Sequence, residues 1–149
     1  MTWSPRAVWM SCDGGLAVGQ GRLRDPQGLV GTYVTVWQRQ SDGSYKWVHD
    51  AAGYDDPQPA PEPEPEEGAN IIVVENNDAQ GFVADCLRPG DPKPQAPGYT
   101  INPPARSGGG RSADRTLIWG WIHGSDGSRE LSVDFLEDGS WQRPLDQRF

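Results

Sequence analysis

The stretch Gly31-Thr32-Tyr33-Val34-Thr35-Val36-Trp37-Gln38-Arg39-Gln40-Ser41-Asp42-Gly43-Ser44-Tyr45-Lys46-Trp47-Val48-His49-Asp50 decides the fold. β-Branched and aromatic residues dominate both of its arms, as a pleated surface favours. Ser41-Asp42-Gly43 between them has the chemistry of a turn. The reading is a hairpin of strands Thr32–Gln40 and Tyr45–Asp50. A three-residue loop pairs Trp37 with Trp47, Thr35 with His49 and Arg39 with Tyr45, with Tyr33 on the same face. Val34, Val36, Lys46, Val48 and Asp50 then lie on the other face.

Working outward, Arg6–Cys12 and Leu16–Arg24 read as strands joined at Asp13-Gly14-Gly15, and Asp25-Pro26-Gln27-Gly28 closes the second. Toward the end of the chain, register arithmetic chooses the turn. A two-residue turn at Asp126-Gly127 would pair Trp121 with Ser132. A three-residue loop, Ser125-Asp126-Gly127, pairs Trp121 with Leu131, Trp119 with Val133 and Leu117 with Phe135. Only the second register gathers the six apolar side chains on one face, and a slip of one residue would turn them all away. The same loop at Glu137-Asp138-Gly139 would set Trp141 opposite Phe135.

Between these parts the composition changes. Residues 51–69 carry Pro57, Pro59, Pro61, Pro63 and Pro65 at every second position, which predicts a stiff, solvated spacer. They also hold six acids and no Lys or Arg. Of the chain's 21 acids, setting those six aside leaves 15 against 13 bases, so the formal charge of −8 is largely local. No basic footprint points to nucleic acid. Ile71-Ile72-Val73-Val74 is a buried-strand candidate, Gly81–Leu87 a weaker one, and Asp78–Phe82 a candidate helical turn. Residues 88–113, rich in proline and ending in Gly108-Gly109-Gly110, read as a long loop. No stretch shows a sustained helical period.

With 149 residues, 35% hydrophobic, 19 Gly and 14 Pro, the chain supports one modest core with much loop. Seven Trp compensate, since each large ring can bury about 150–250 Å². The expected class is mainly β: an antiparallel bent sheet of hairpins with long Pro/Gly-rich loops. Residues 1–50 form the first sheet, 51–69 the linker, and 70–149 a strand and loop segment with C-terminal hairpins that packs with 1–50 as one domain.

The segment from Gly31 to Asp50 resembles the closing hairpin of the nuclear-transport-factor-2-like, or SnoaL-like, superfamily. Its pattern there is an aromatic, an apolar alternation, Trp, polar residues, Asp-Gly-Ser, an aromatic, Lys and a final Asp. Ser11 to Gly19 resembles the strand pair before it, and Leu117 to Arg148 a tail seen in bacterial members. The likeness covers residues 6–50 well and the rest loosely. It implies a partial α+β cone-type fold, whose bent sheet encloses an apolar pocket. Members begin with a long helical region, whereas Trp3-Ser4-Pro5 lies almost at the first matching strand. A shortened version would leave a sheet face uncovered, which favours a homodimer or cover from residues 70–149.

The candidate sites follow. Tyr33, Trp37 and Trp47 line a sheet face that could bind a small apolar ligand or a partner, although core packing would also explain them. His49 and Asp50 are the candidate acid or base of an isomerase or hydrolase of the SnoaL-like type, but that register points them to opposite faces. Trp119, Trp121 and Trp141 would form the row of a carbohydrate-binding β-module, although their aliphatic neighbours suit a core. Gly19-Gln20-Gly21 lacks the remainder of a phosphate loop, and Gly124–Gly127 lacks the context of a nucleophile elbow. The two histidines and two cysteines have no metal spacing, and no motif implies a cofactor. Cys12 and Cys86 are a candidate disulfide. Met1 to Pro5 has no apolar h-region, and no run reaches membrane-spanning length, so the expectation is a soluble chain without a signal peptide. Export of a longer form would place it in the periplasm.

Overall fold

The computed structural model describes residues 1–60, 78–98 and 106–149. The nine strands among them are β1 (Thr2–Met10), β2 (Leu16–Arg24), β3 (Val30–Arg39), β4 (Tyr45–Tyr54), β5 (Gln80–Val83), β6 (Arg106–Arg111), β7 (Leu117–His123), β8 (Arg129–Glu137) and β9 (Ser140–Arg148). One sheet has the order β4-β3-β2-β1-β5 and the other β6-β7-β8-β9. All neighbours are antiparallel except β1 and β5. The protein is mainly β, built of hairpins as its turn spacing requires. No helix among the described residues is long and apolar enough to cross a membrane.

The two sheets share one core. Leu16, Val18, Val34 and Val36 from the first meet Leu117, Trp119, Leu131, Val133, Phe135 and Leu145 from the second. Val18, Val34 and Val36 are completely buried, each contributing about 1.5–3 kcal/mol by leaving water. Period-two alternation then fixes what the first sheet shows on its other side, where Tyr33, Thr35 and Trp37 face outward. Strands β7–β9 thus cover the aliphatic face of the first sheet and leave its aromatic face open.

The register of β7 and β8 pairs Trp121 with Leu131, Trp119 with Val133 and Leu117 with Phe135. Gly127 there is left-handed, at φ 86°. The next turn departs from the expected three-residue loop. Asp138 and Gly139 are both left-handed (φ 51° and 74°), which makes a two-residue primed turn. Leu136 therefore pairs with Trp141, and Phe135 pairs with Gln142. Trp141 leaves the Phe135 face, and its indole N–H donates to the Pro94 carbonyl (3.4 Å).

Four other expectations are corrected. β4 continues to Tyr54, into the stretch assigned to the spacer. Asp55 is not simply solvated, because Arg22 Nη1 donates to its Oδ1 (3.0 Å) and to Thr32 Oγ1 (2.6 Å). Gln80–Val83 is a strand where a helical turn was a candidate. Arg106–Arg111 is also a strand, not loop. A Cβ on Gly108 would lie 2.7–2.8 Å from the Trp121 ring, and one on Gly110 3.0 Å from Trp119 Nε1. Indoles occupy the space that side chains on β6 would need. The Ile71–Val74 candidate and residues 61–69 of the spacer lie outside the described residues.

Cys12 and Cys86 are joined by a disulfide, with their Cα atoms 5.1 Å apart. Around it the sheets are laced together. Ala84 N–H donates to Met10 O (2.8 Å), and the next amide, of Asp85, donates to Leu136 O (2.8 Å). Cys12 N–H donates to Thr116 Oγ1 (2.9 Å).

Candidate functional site

A β-bulge decides what the open face of the first sheet presents. β3 and β4 pair Trp37 with Trp47 as the sequence predicts, but Val36 pairs with His49 and Thr35 with Asp50. Val48 is the extra residue, looping out and exposed. This overturns the expected Thr35–His49 pair. It exchanges the faces of the two polar residues, sending His49 inward and Asp50 outward. They remain on opposite faces, so no proton-transfer pair forms between them.

Outward, Trp3, Thr35, Trp37, Trp47 and Asp50 line an open cleft of about 290 Å³. Its three indoles are exposed to 49% (Trp3), 37% (Trp37) and 66% (Trp47). Thr35 Oγ1 donates to Asp50 Oδ1 (2.6 Å), which fixes the carboxylate beside the rings. Trp3 reaches this group from β1, across β2, because β2 turns only small residues upward there. Its Gly21 pairs with Tyr33, and a Cβ on Gly21 would fall 2.6 Å from the Tyr33 ring and 2.4 Å from Ser4 O. With glycine at that point, Tyr33 lies over β2 and meets Trp3 edge-on, ring centres 4.9 Å apart. Burial raises the Tyr33 phenol above its ordinary pKa, and the negative charge of Asp50 adds to the effect.

Trp37 and Trp47 thus stand together as the sequence predicts, and Tyr33 supports them through Trp3. Trp3 is not among the sequence-predicted site residues, because the strand chemistry places the start of the first strand at Arg6. Its signal was the alternation of Trp3 and Pro5, which continues outward at Val8 and Met10 after a bulge between Pro5 and Ala7.

Inward, His49 lies in the seam between the sheets. Its ring is 5.2 Å from that of Trp119, and 5.8 Å from that of Trp121, nearly parallel at 5°. His123 packs on Trp121 at 4.6 Å. Burial lowers the His49 pKa, and His123 lowers it further, while Asp50 opposes both. His49 is therefore a neutral imidazole near pH 7. Trp119 is buried, Trp121 packs with His49 and His123, and Trp141 donates to the Pro94 carbonyl, so these three present no exposed row.

A larger cleft of about 550 Å³ runs over the outer face of the second sheet. Its walls include Ile118, Gly120, Ile122, Ala96 and Pro97. Of the charged residues along it, Arg143 pairs with Asp134 (2.9 Å) and Glu130 with Arg148, and Arg111 and Asp146 line it as well. No group of three or more His, Cys, Asp or Glu among the described residues could hold a metal ion.

No family model, curated protein or solved structure matches this chain.

Proposed function

We propose that this is a binding protein, and that the outer face of β1, β3 and β4 takes a small, largely apolar ligand. The observation that carries the reading is the exposure of Trp3, Trp37 and Trp47 around one cleft. Large aromatic side chains gain by leaving water, and a contiguous exposed apolar patch marks an interaction surface. Thr35 and Asp50 add the few polar groups that orient a ligand in such a site. The cone-type superfamily that residues 6–50 resemble also uses a sheet face to bound an apolar pocket, which agrees with this reading. Catalysis is not part of it, because His49 and Asp50 stand on opposite sides of β4.

The test is an NMR titration of the indole N–H signals with 3,3-dimethylbutan-1-ol, a compact neutral probe. The signals of Trp3, Trp37 and Trp47 should move, and those of Trp9 and Trp119 should not. Trp47→Ala should abolish the response while the near-ultraviolet circular dichroism of the core persists. A uniform response of all indoles, or none, would overturn the proposal.

A further inference from the structure

The chemistry of the cleft narrows its ligand class further, and this step rests on the binding reading above. We propose that the cleft of Trp3, Trp37 and Trp47 selects an organic cation of the quaternary-ammonium type over a neutral molecule of the same shape.

Indole faces carry the negative side of an aromatic quadrupole, and they attract a cation beyond what apolar contact gives. Three indoles border this open cleft, and Asp50 is the one charged residue among those described along it. Its field reaches across the face, since it bears on the Tyr33 phenol. An anion would meet that carboxylate directly. A metal ion would find a single carboxylate along the cleft, and no group of three or more His, Cys, Asp or Glu among the described residues could hold it. A primary ammonium is strongly hydrated, as the lysine head group is, and loses that hydration against indoles. A quaternary ammonium has no N–H to satisfy. Its methyl groups suit the rings, and its charge needs only a nearby counter-ion. Asp50 is held for that role by Thr35, which occupies one carboxylate oxygen and leaves Oδ2 with no hydrogen bond described to it.

The experiment compares choline with 3,3-dimethylbutan-1-ol, its neutral carbon counterpart, on the full chain at matched ionic strength. The readout is the indole N–H shifts of Trp3, Trp37 and Trp47. Choline should bind about tenfold more tightly, which corresponds to about 1.4 kcal/mol. In Asp50→Asn, where the amide oxygen can still accept from Thr35, the ratio of the two affinities should fall to about threefold, the part that the indoles alone supply at an exposed site. Equal affinities in the unaltered protein would refute the cation preference and leave the apolar-ligand reading standing. A choline preference undiminished in Asp50→Asn would refute the assigned role of the carboxylate. Silence toward both probes, or shifts of the same indoles on simple dilution of the protein, would overturn both readings, the latter because a second copy would then occupy the face.

Discussion

Gly14 and Arg115 hold the same left-handed backbone conformation, φ 67° and 63°, at the same place in two matching turns. Ser11 N–H donates to Leu16 O, and Ser112 N–H to Leu117 O, both at 2.9 Å. The amides of Gly14 and Arg115 donate back to Ser11 O and Ser112 O, both at 3.0 Å. Each serine hydroxyl oxygen also accepts from the leucine amide five residues on, at 3.0 Å. The turns face each other, and Asp13 N–H donates to Asp114 Oδ2 (2.8 Å). A left-handed position costs an ordinary residue about 1–2 kcal/mol, and glycine little. Arg115→Gly should therefore raise unfolding free energy by about 1 kcal/mol, and Gly14→Ala should lower it by a similar amount. A Cβ at Gly14 meets only ordinary contacts, Tyr45 Oη at 3.5 Å and Met10 Sδ at 3.8 Å, so the loss is the backbone's alone. Urea unfolding of the two variants checks both signs.

The Cys12–Cys86 bond spans 74 residues of sequence. In the chain-entropy account, closing a loop of that length in the unfolded state stabilises the fold by about 4 kcal/mol. Cys12→Ser with Cys86→Ser should lower the unfolding midpoint accordingly. The addition of reductant should then have no further effect on the double variant. A midpoint unmoved in the double variant would mean that the hydrogen bonds around Ala84, Asp85 and Thr116 suffice.

Stability should fall in mild acid because of His49. Its folded-state pKa is lowered from 6.5 by burial first and then by His123. Between 6.5 and that lowered value, the unfolded chain binds the proton more readily than the folded one. The contribution is therefore complete above pH 6.5 and is lost as pH falls toward the folded pKa. His49→Gln should flatten the pH dependence of the unfolding free energy over that window. The carboxylates give a separate, lower step. Hydrogen bonds from Arg22 hold Asp55 below its usual 3.8, so its contribution is present above that pH and lost below it.

Much of the first sheet was legible in its residues. Strong β-formers and the turns at Asp13-Gly14 and Asp42-Gly43 placed β2 and β3, and in the second sheet the turn at Asp126-Gly127 and pairing arithmetic set Leu117, Trp119 and Trp121 against their partners. The bulge at Val48 was not legible, because the Trp37–Trp47 pair is the same with or without it. A single looped residue nonetheless exchanged His49 and Asp50 between the faces, and with them the polar content of the site. β6 was hidden for another reason. A run of three glycines has low strand propensity, and only the indoles of Trp119 and Trp121 explain its pairing. Those rings lie in a different part of the sequence. Trp3 was obscured by Pro5, which local rules count against a strand although an irregular pairing accommodates it.

The bond between Cys12 and Cys86 also changes the connectivity of the molecule. It turns residues 12–86 into a covalent ring from which the two ends of the chain emerge. Cutting any one peptide bond within that ring, the acidic proline-rich stretch included, opens it without separating the pieces. A protease acting there would release no fragment, and the nicked protein would run as one species until reduced and as two afterwards. The connection from β4 to β5 can in this way be interrupted while β1–β4 and β5–β9 stay on a single molecule.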